Sequence, residues 1–194
     1  MNSDIFALTY EARSVRVFDE ERLPSKELLC HFVDCARVTP SAGNMQVLKY
    51  KICCDADTVK QLRPLTRWAG YIKDKKLPPD GKEPTAFIVI CHDKSIGAVT
   101  PFTQMDVGIA AQTVNLAARE AGFALCMIGS FDKDGVRKLF DLEDDLEPQL
   151  VLAIGAPAEE PVICSVDETG SIKYFRDSAD IHFVPKRSLE EILL

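Results

Sequence analysis

Arg13-Ser14-Val15-Arg16-Val17-Phe18 sets two guanidinium groups and a hydroxyl close together on an alternating stretch near the start of the chain. A planar guanidinium can grip two phosphate oxygens at once, so donors gathered in this way suit a phosphate monoester. Two solvated arginines on a surface turn are the plain alternative. About one helix further on comes a second informative segment, Thr39-Pro40-Ser41-Ala42-Gly43-Asn44-Met45-Gln46. Pro40 pushes its predecessor out of the helical region and so closes the preceding helix. Asn44, following Gly43, suits a left-handed turn.

Outward from these two segments the chain alternates helices and strands without a strict βαβ order. Ile5 to Ala12 reads as a short helix leading into the arginine element. Ser25 is placed to cap a second helix, whose Leu28, Leu29, Phe32, Val33 and Ala36 recur at helical spacing. Leu48 to Cys54 and Ala86 to Cys91 read as strands, the second nearly all apolar and therefore central in a sheet. Thr58 to Trp68 is helical in character but broken by Pro64, and Lys73 to Lys82 is a charged, breaker-rich surface loop. Met105 to Ala121 is the longest helix. Its apolar residues wrap most of its circumference, which predicts burial partly against another subunit. Asp132 can cap a helix that turns Val136, Leu139 and Phe140 inward. Gln149 to Ile154 reads as a buried strand ended by Gly155-Ala156-Pro157, and Ser188 to Leu194 as a closing helical turn. The mixture predicts a layered α+β domain.

The 194 residues fit a single domain, 1–194, and 46% hydrophobic with 27% charged residues is the profile of an ordinary globule with a sizeable core. The 23 basic against 30 acidic side chains give a net charge of -7, which disfavours nucleic acid as a partner. A local basic pocket would have to be gathered from scattered residues. Seven cysteines form no C-x-x-C pair and sit mostly in apolar runs, as small buried hydrophobes do. His31, His92 and His182 are far apart in sequence, so no metal site is expected. Met1 to Asp4 begins no basic-then-apolar leader, and no apolar run approaches a membrane span. Free thiols and the missing leader predict a cytoplasmic protein that does not enter membranes.

Taken together, the two opening segments resemble those of nitroreductase-like flavoproteins, in which an R-S-x-R-x-[FY] element is followed by P-S-x-x-N-x-Q. Asp106 to Gly129 is similar to the family's long central helix and the turn towards the flavin ring. Val151 to Pro157 is similar to its late strand ending in G-x-P, and Val184 to Ile192 to its basic C-terminal segment. These pieces follow family order across nearly the whole chain. Ala12 stands where many members carry a further arginine, and Gln46-Val47 replaces a frequent Q-P.

The resemblance implies a nitroreductase-like α+β sandwich, a mixed sheet flanked by helices. It also implies an intertwined homodimer in which residues 159–194 reach the partner subunit. It implies non-covalent FMN, with the phosphate held by Arg13, Ser14 and Arg16 and by Lys186 or Arg187 from the tail. For Lys186 and Arg187 a solvated basic tail is the alternative. Asn44 and Gln46 would meet the polar edge of the flavin ring, since a carboxamide matches both a carbonyl and an N–H. Ser41 and Ala42 would lie along the ribityl chain or ring, and Ile128, Gly129 and Ser130 beside the ring. Arg67 or Lys73 could stabilise the reduced flavin, or both could be solvated charges. The implied activity is NAD(P)H-dependent oxidoreduction, a ping-pong hydride transfer through flavin N5 to nitroaromatic, quinone or similar acceptors. It needs no separate catalytic side chain and no dinucleotide G-x-G-x-x-G. The alternatives are a member specialised for reductive dehalogenation or flavin breakdown, and a non-catalytic FMN-binding or sensing module.

Overall fold

In the computed structural model, which describes residues 4–194, a central antiparallel sheet lies between two helical layers. The reading of Met1 to Ser3 as free of a leader lies outside the described residues. The sheet is built from β1 (Phe18–Asp19), β2 (Leu48–Cys53), β3 (Ala86–Asp93), β4 (Ala124–Ile128) and β5 (Leu146–Pro157). β3 lies between β2 and β5, as its unbroken apolar run predicts, and every residue from Ala86 to Cys91 is buried. β5 also pairs with β4 and β1, so it is longer than the Gln149 to Ile154 segment expected from composition. Gly155-Ala156-Pro157 forms its last three residues, so the strand ends at Pro157. Gly155 pairs with Ala124, and a Cβ there would come within 2.8 Å of the Phe18 ring, so the glycine lets β1 pack closely.

The period of two along each strand divides the core. Ile88, Ile90, Leu125, Leu152 and Ile154 face one side, against α2 (Lys26–Arg37) and α4 (Pro101–Glu120). Phe87, Val89, Cys126, Val151 and Ala153 face the other, against α3 (Ala56–Leu62) and α5 (Lys133–Phe140). Burial pushes the Cys53 thiol up to about 12 and the Cys91 thiol to about 11, so these cysteines are inert core residues.

Local signals explain most helix ends. Ser25 accepts the N–H of Leu28 and Asp132 that of Gly135. Pro64 falls in a short 3-10 turn that ends α3. α4 starts earlier than Met105, because Thr100 and Thr103 form a reciprocal capping box with Pro101 in the first turn. One stripe of α4 is left apolar and open, with Phe102 59% and Met105 61% exposed and Ile109 beside them. α1 (Ile5–Glu11) buries no residue at all and exposes Ile5, Phe6 and Tyr10.

The C-terminal segment forms a small second sheet of β6 (Val162–Ser165), β7 (Phe175–Arg176) and β8 (His182–Lys186), with β6 and β8 parallel. Part of this segment packs on the arginine element and the loop before β3: Glu159 accepts the Arg16 N–H, and the Tyr174 ring lies 5.1 Å from that of Tyr71, tilted by 57°. α6 (Leu189–Ile192), capped by Ser188, exposes Leu189, Ile192 and Leu193, and Val162, Ile172, Phe175 and Ile181 are exposed on the same segment. Among the described residues no helix is long and apolar enough to cross a membrane.

Candidate functional site

The arginine element runs between α1 and β1, and the fold carries the C-terminal sheet up against it. Arg13, Ser14, Arg16 and Lys186 line one cavity of about 280 Å³, together with Asn115, Tyr174 and His182. The two ends of the chain therefore meet, as the phosphate reading requires. Arg16 is only 7% exposed. Its backbone N–H donates to Glu159 at 2.5 Å, its guanidinium lies over the Tyr174 ring at 4.5 Å, and its Nη1 is 3.3 Å from His182 Nε2. Glu159 in turn pairs with the buried Arg176. Arg13 donates to the Thr9 carbonyl at 2.6 Å, and Asn115 of α4 donates to the Ala12 carbonyl at 3.3 Å, which ties the element to the long helix.

Three buried nitrogens of residues lining this cavity have no partner among the described residues: Arg13 Nε, Arg16 Nε and His182 Nδ1. Unpaired buried donors are costly, so these residues hold hydrogen-bonding capacity that the fold leaves unused. A phosphate monoester offers enough oxygens for all of them. Arg187 is exposed and pairs with Glu191 at 3.5 Å, outside this cluster.

The second sequence segment lies elsewhere. Ser41 and Ala42 line a larger, mostly apolar cavity of about 600 Å³ with Met45, Val47, His92, Met105 and Ile109. The Ala42 N–H donates to Asp106 Oδ1 at 2.9 Å, fixing the loop to α4. Gly43, Asn44 and Gln46 all have left-handed backbones, with φ of 57°, 53° and 53°. Strain concentrated in this way is tolerated where a site needs a particular loop shape. Gln46 braces the loop, donating from its backbone to Ser41 Oγ and from its side chain to the Asn44 carbonyl, each at 3.3 Å. The Asn44 carboxamide is exposed and has no partner among the described residues.

Within one protomer this loop and the arginine cavity do not share a cleft. Ile128 is buried in the core, and Gly129 and Ser130 are exposed at the end of β4. The Ser130 carbonyl accepts the Arg67 N–H at 2.9 Å, while the Arg67 and Lys73 side chains are exposed. Tyr174, His182, Glu159 and Asn115 carry no sequence signal that singles them out, since each becomes a site residue only through tertiary contact.

The protein-family model described as "Nitroreductase family" matches residues 10–156, from the arginine element to the end of β5. The chain belongs to the nitroreductase family. A protein of Methanothermobacter thermautotrophicus provisionally named NADH dehydrogenase/NAD(P)H nitroreductase is 26% identical over 162 residues, 81% of this chain and 80% of its own length. A nitroreductase family protein from Clostridium difficile 630 superposes with a TM-score of 0.62 at 27% identity, covering 78% of this chain and 83% of that one. An FMN-dependent nitroreductase from Clostridium difficile R20291 has the same fold, with a TM-score of 0.65 at 20% identity over 80% of this chain and 88% of its own. The nitroreductase-like α+β architecture is thus shared, and the parallel pairing of its mixed strands lies in the small C-terminal sheet.

Proposed function

We propose that this protein is an FMN-dependent NAD(P)H oxidoreductase of the nitroreductase type, acting as a homodimer on small nitroaromatic, quinone or similar acceptors. The observation that carries the reading is the set of unpartnered buried donors of Arg13, Arg16 and His182 around a cavity that also holds Ser14 and Lys186. That donor set fits the flavin phosphate. When bound, FMN supplies the two-electron chemistry, taking hydride from a nicotinamide and passing it to an acceptor.

The chain's own residues bind, orient and shield. Arg13, Ser14, Arg16 and Lys186 would hold the phosphate, and the positive cavity draws an anion into an otherwise acidic molecule. Tyr174 covers the Arg16 guanidinium and Glu159 fixes its backbone, so the fork is held in position before the ligand arrives. The exposed Asn44 carboxamide is suited to the polar edge of the ring. Because its loop is apart from the arginine cavity in one protomer, a second copy is the natural source of that contact.

The open apolar stripe of Phe102, Met105 and Ile109 adjoins the loop's cavity, and α1 and α6 expose further apolar residues. Exposed apolar surface of this kind marks an interface. The large cavity beside the loop would then admit a flat, neutral acceptor. The test is to purify the protein, measure released FMN, and determine mass by light scattering. One FMN per protomer in a dimer is expected. A colourless protein that added FMN does not restore would contradict the reading.

A further inference from the structure

His182 opens β8, is 2% exposed, and reaches the arginine cavity from the opposite end of the chain. Its Nε2 lies 3.3 Å from Arg16 Nη1. A guanidinium only donates, so Nε2 must present its lone pair, and the neutral ring carries its proton on Nδ1. That Nδ1 is buried and has no partner among the described residues. The ring is also confined, because the Tyr174 ring meets it edge-on at 5.7 Å and 76°. Burial, and then the charges of Arg16 and Arg176, push its pKa down to about 4, so it is neutral near pH 7.

We propose that His182 is a specificity-determining residue of this pocket, accepting from Arg16 through Nε2 and donating Nδ1–H to an oxygen of a phosphate monoester. The proposal rests on the phosphate reading given above. A neutral donor suits the position. Arg13, Arg16 and Lys186 already line the cavity, and Arg176 is near enough to act on the ring, so a further cation would add repulsion. A neutral N–H adds a hydrogen bond to a charged oxygen without that cost.

The experiment compares apoprotein of the wild type, His182→Phe and His182→Asn for binding of FMN and riboflavin, read by quenching of flavin fluorescence. Phe keeps a ring of similar shape but neither hydrogen bond, whereas an Asn amide can place an N–H near the Nδ1 position. His182→Phe is expected to weaken FMN by about 10–100-fold and riboflavin by less than about twofold, and His182→Asn to recover part of the loss. Equal weakening of both flavins by His182→Phe, or no weakening, would overturn the proposal, as would His182→Asn behaving like His182→Phe. A second measurement needs no flavin. Inorganic phosphate titrated into wild-type apoprotein should shift the 15N resonance of His182 Nδ1, and an unmoved resonance would overturn the proposal. Wild type that binds phosphate at His182 but not FMN would instead contradict the flavin reading alone.

Discussion

Glu159 accepts the backbone N–H of Arg16 at 2.5 Å across 143 positions of sequence, and its other oxygen pairs with Arg176. The Glu159 and Arg176 side chains are only 9% and 4% exposed. One buried carboxylate therefore fastens the arginine element to the C-terminal sheet. Removing one partner of such a pair leaves the other charge buried and uncompensated. Glu159→Ala should lower unfolding stability by about 3–5 kcal/mol, measured by urea denaturation of the apoprotein. Glu159→Gln, which keeps an acceptor for the Arg16 N–H, should lose less.

Arg16 is held by Glu159, Tyr174 and His182 in a single orientation. Lysine preserves the charge there but not the planar fork, so Arg16→Lys should weaken FMN by about 10–100-fold while the protein remains folded. Equilibrium dialysis of the apoprotein checks the affinity, and circular dichroism checks the fold. Unchanged flavin affinity would remove Arg16 from the site.

His182 also makes stability depend on pH in a defined direction. Its ordinary pKa of 6.5 falls to about 4 in the folded protein, so the unfolded chain binds more protons between those values. The contribution of the neutral ring is fully present above about pH 6.5 and is lost as pH falls towards 4. The loss should be about 2–3 kcal/mol across that window. Urea midpoints at several pH values should show it as a slope that is reduced in His182→Asn. Parallel slopes for the two proteins would place the titration elsewhere.

The stripe of Phe102, Met105 and Ile109 is the proposed seam between protomers. A carboxylate in its centre would be buried without a partner on both sides of a two-fold interface. Met105→Glu should shift the protein from dimer to monomer in sedimentation velocity, and flavin should be lost with the dimer. A dimer that persists with this substitution would place the seam on another face.

The layers and most of the elements were legible in the sequence because their signals are local. The apolar run of β3, the Ser25 and Asp132 caps and the helical spacing of α2 are set by neighbours a few positions away. β5 and α4 both reach beyond their apolar stretches, for different reasons. Gly155 continues a strand because Phe18, far away in sequence, packs where its Cβ would be. The Thr100–Thr103 box was a readable local signal, but the apolar periodicity that marks the helix begins only at Met105.

At the site, Arg13, Arg16 and Lys186 were legible as charges and Ser14 as a hydroxyl among them, and the four line one cavity. Tyr174, His182 and Glu159 were not, because a buried acid or a neutral histidine becomes functional only through the partner that tertiary folding supplies. Asn44 and the arginines were expected around one ligand. Within one protomer the loop that carries Asn44 borders a different cavity from the arginines, as a site divided between two copies would have it.

The most direct measurement is an anaerobic reductive titration of the FMN-loaded protein with NADH and with NADPH, followed by a simple quinone or nitroaromatic. Stoichiometric bleaching of the flavin's visible band by at least one nicotinamide, and its return on adding the acceptor, is the predicted result. Bound flavin that neither nucleotide bleaches, while dithionite does, would contradict a hydride-transfer role and leave a flavin-binding protein without turnover.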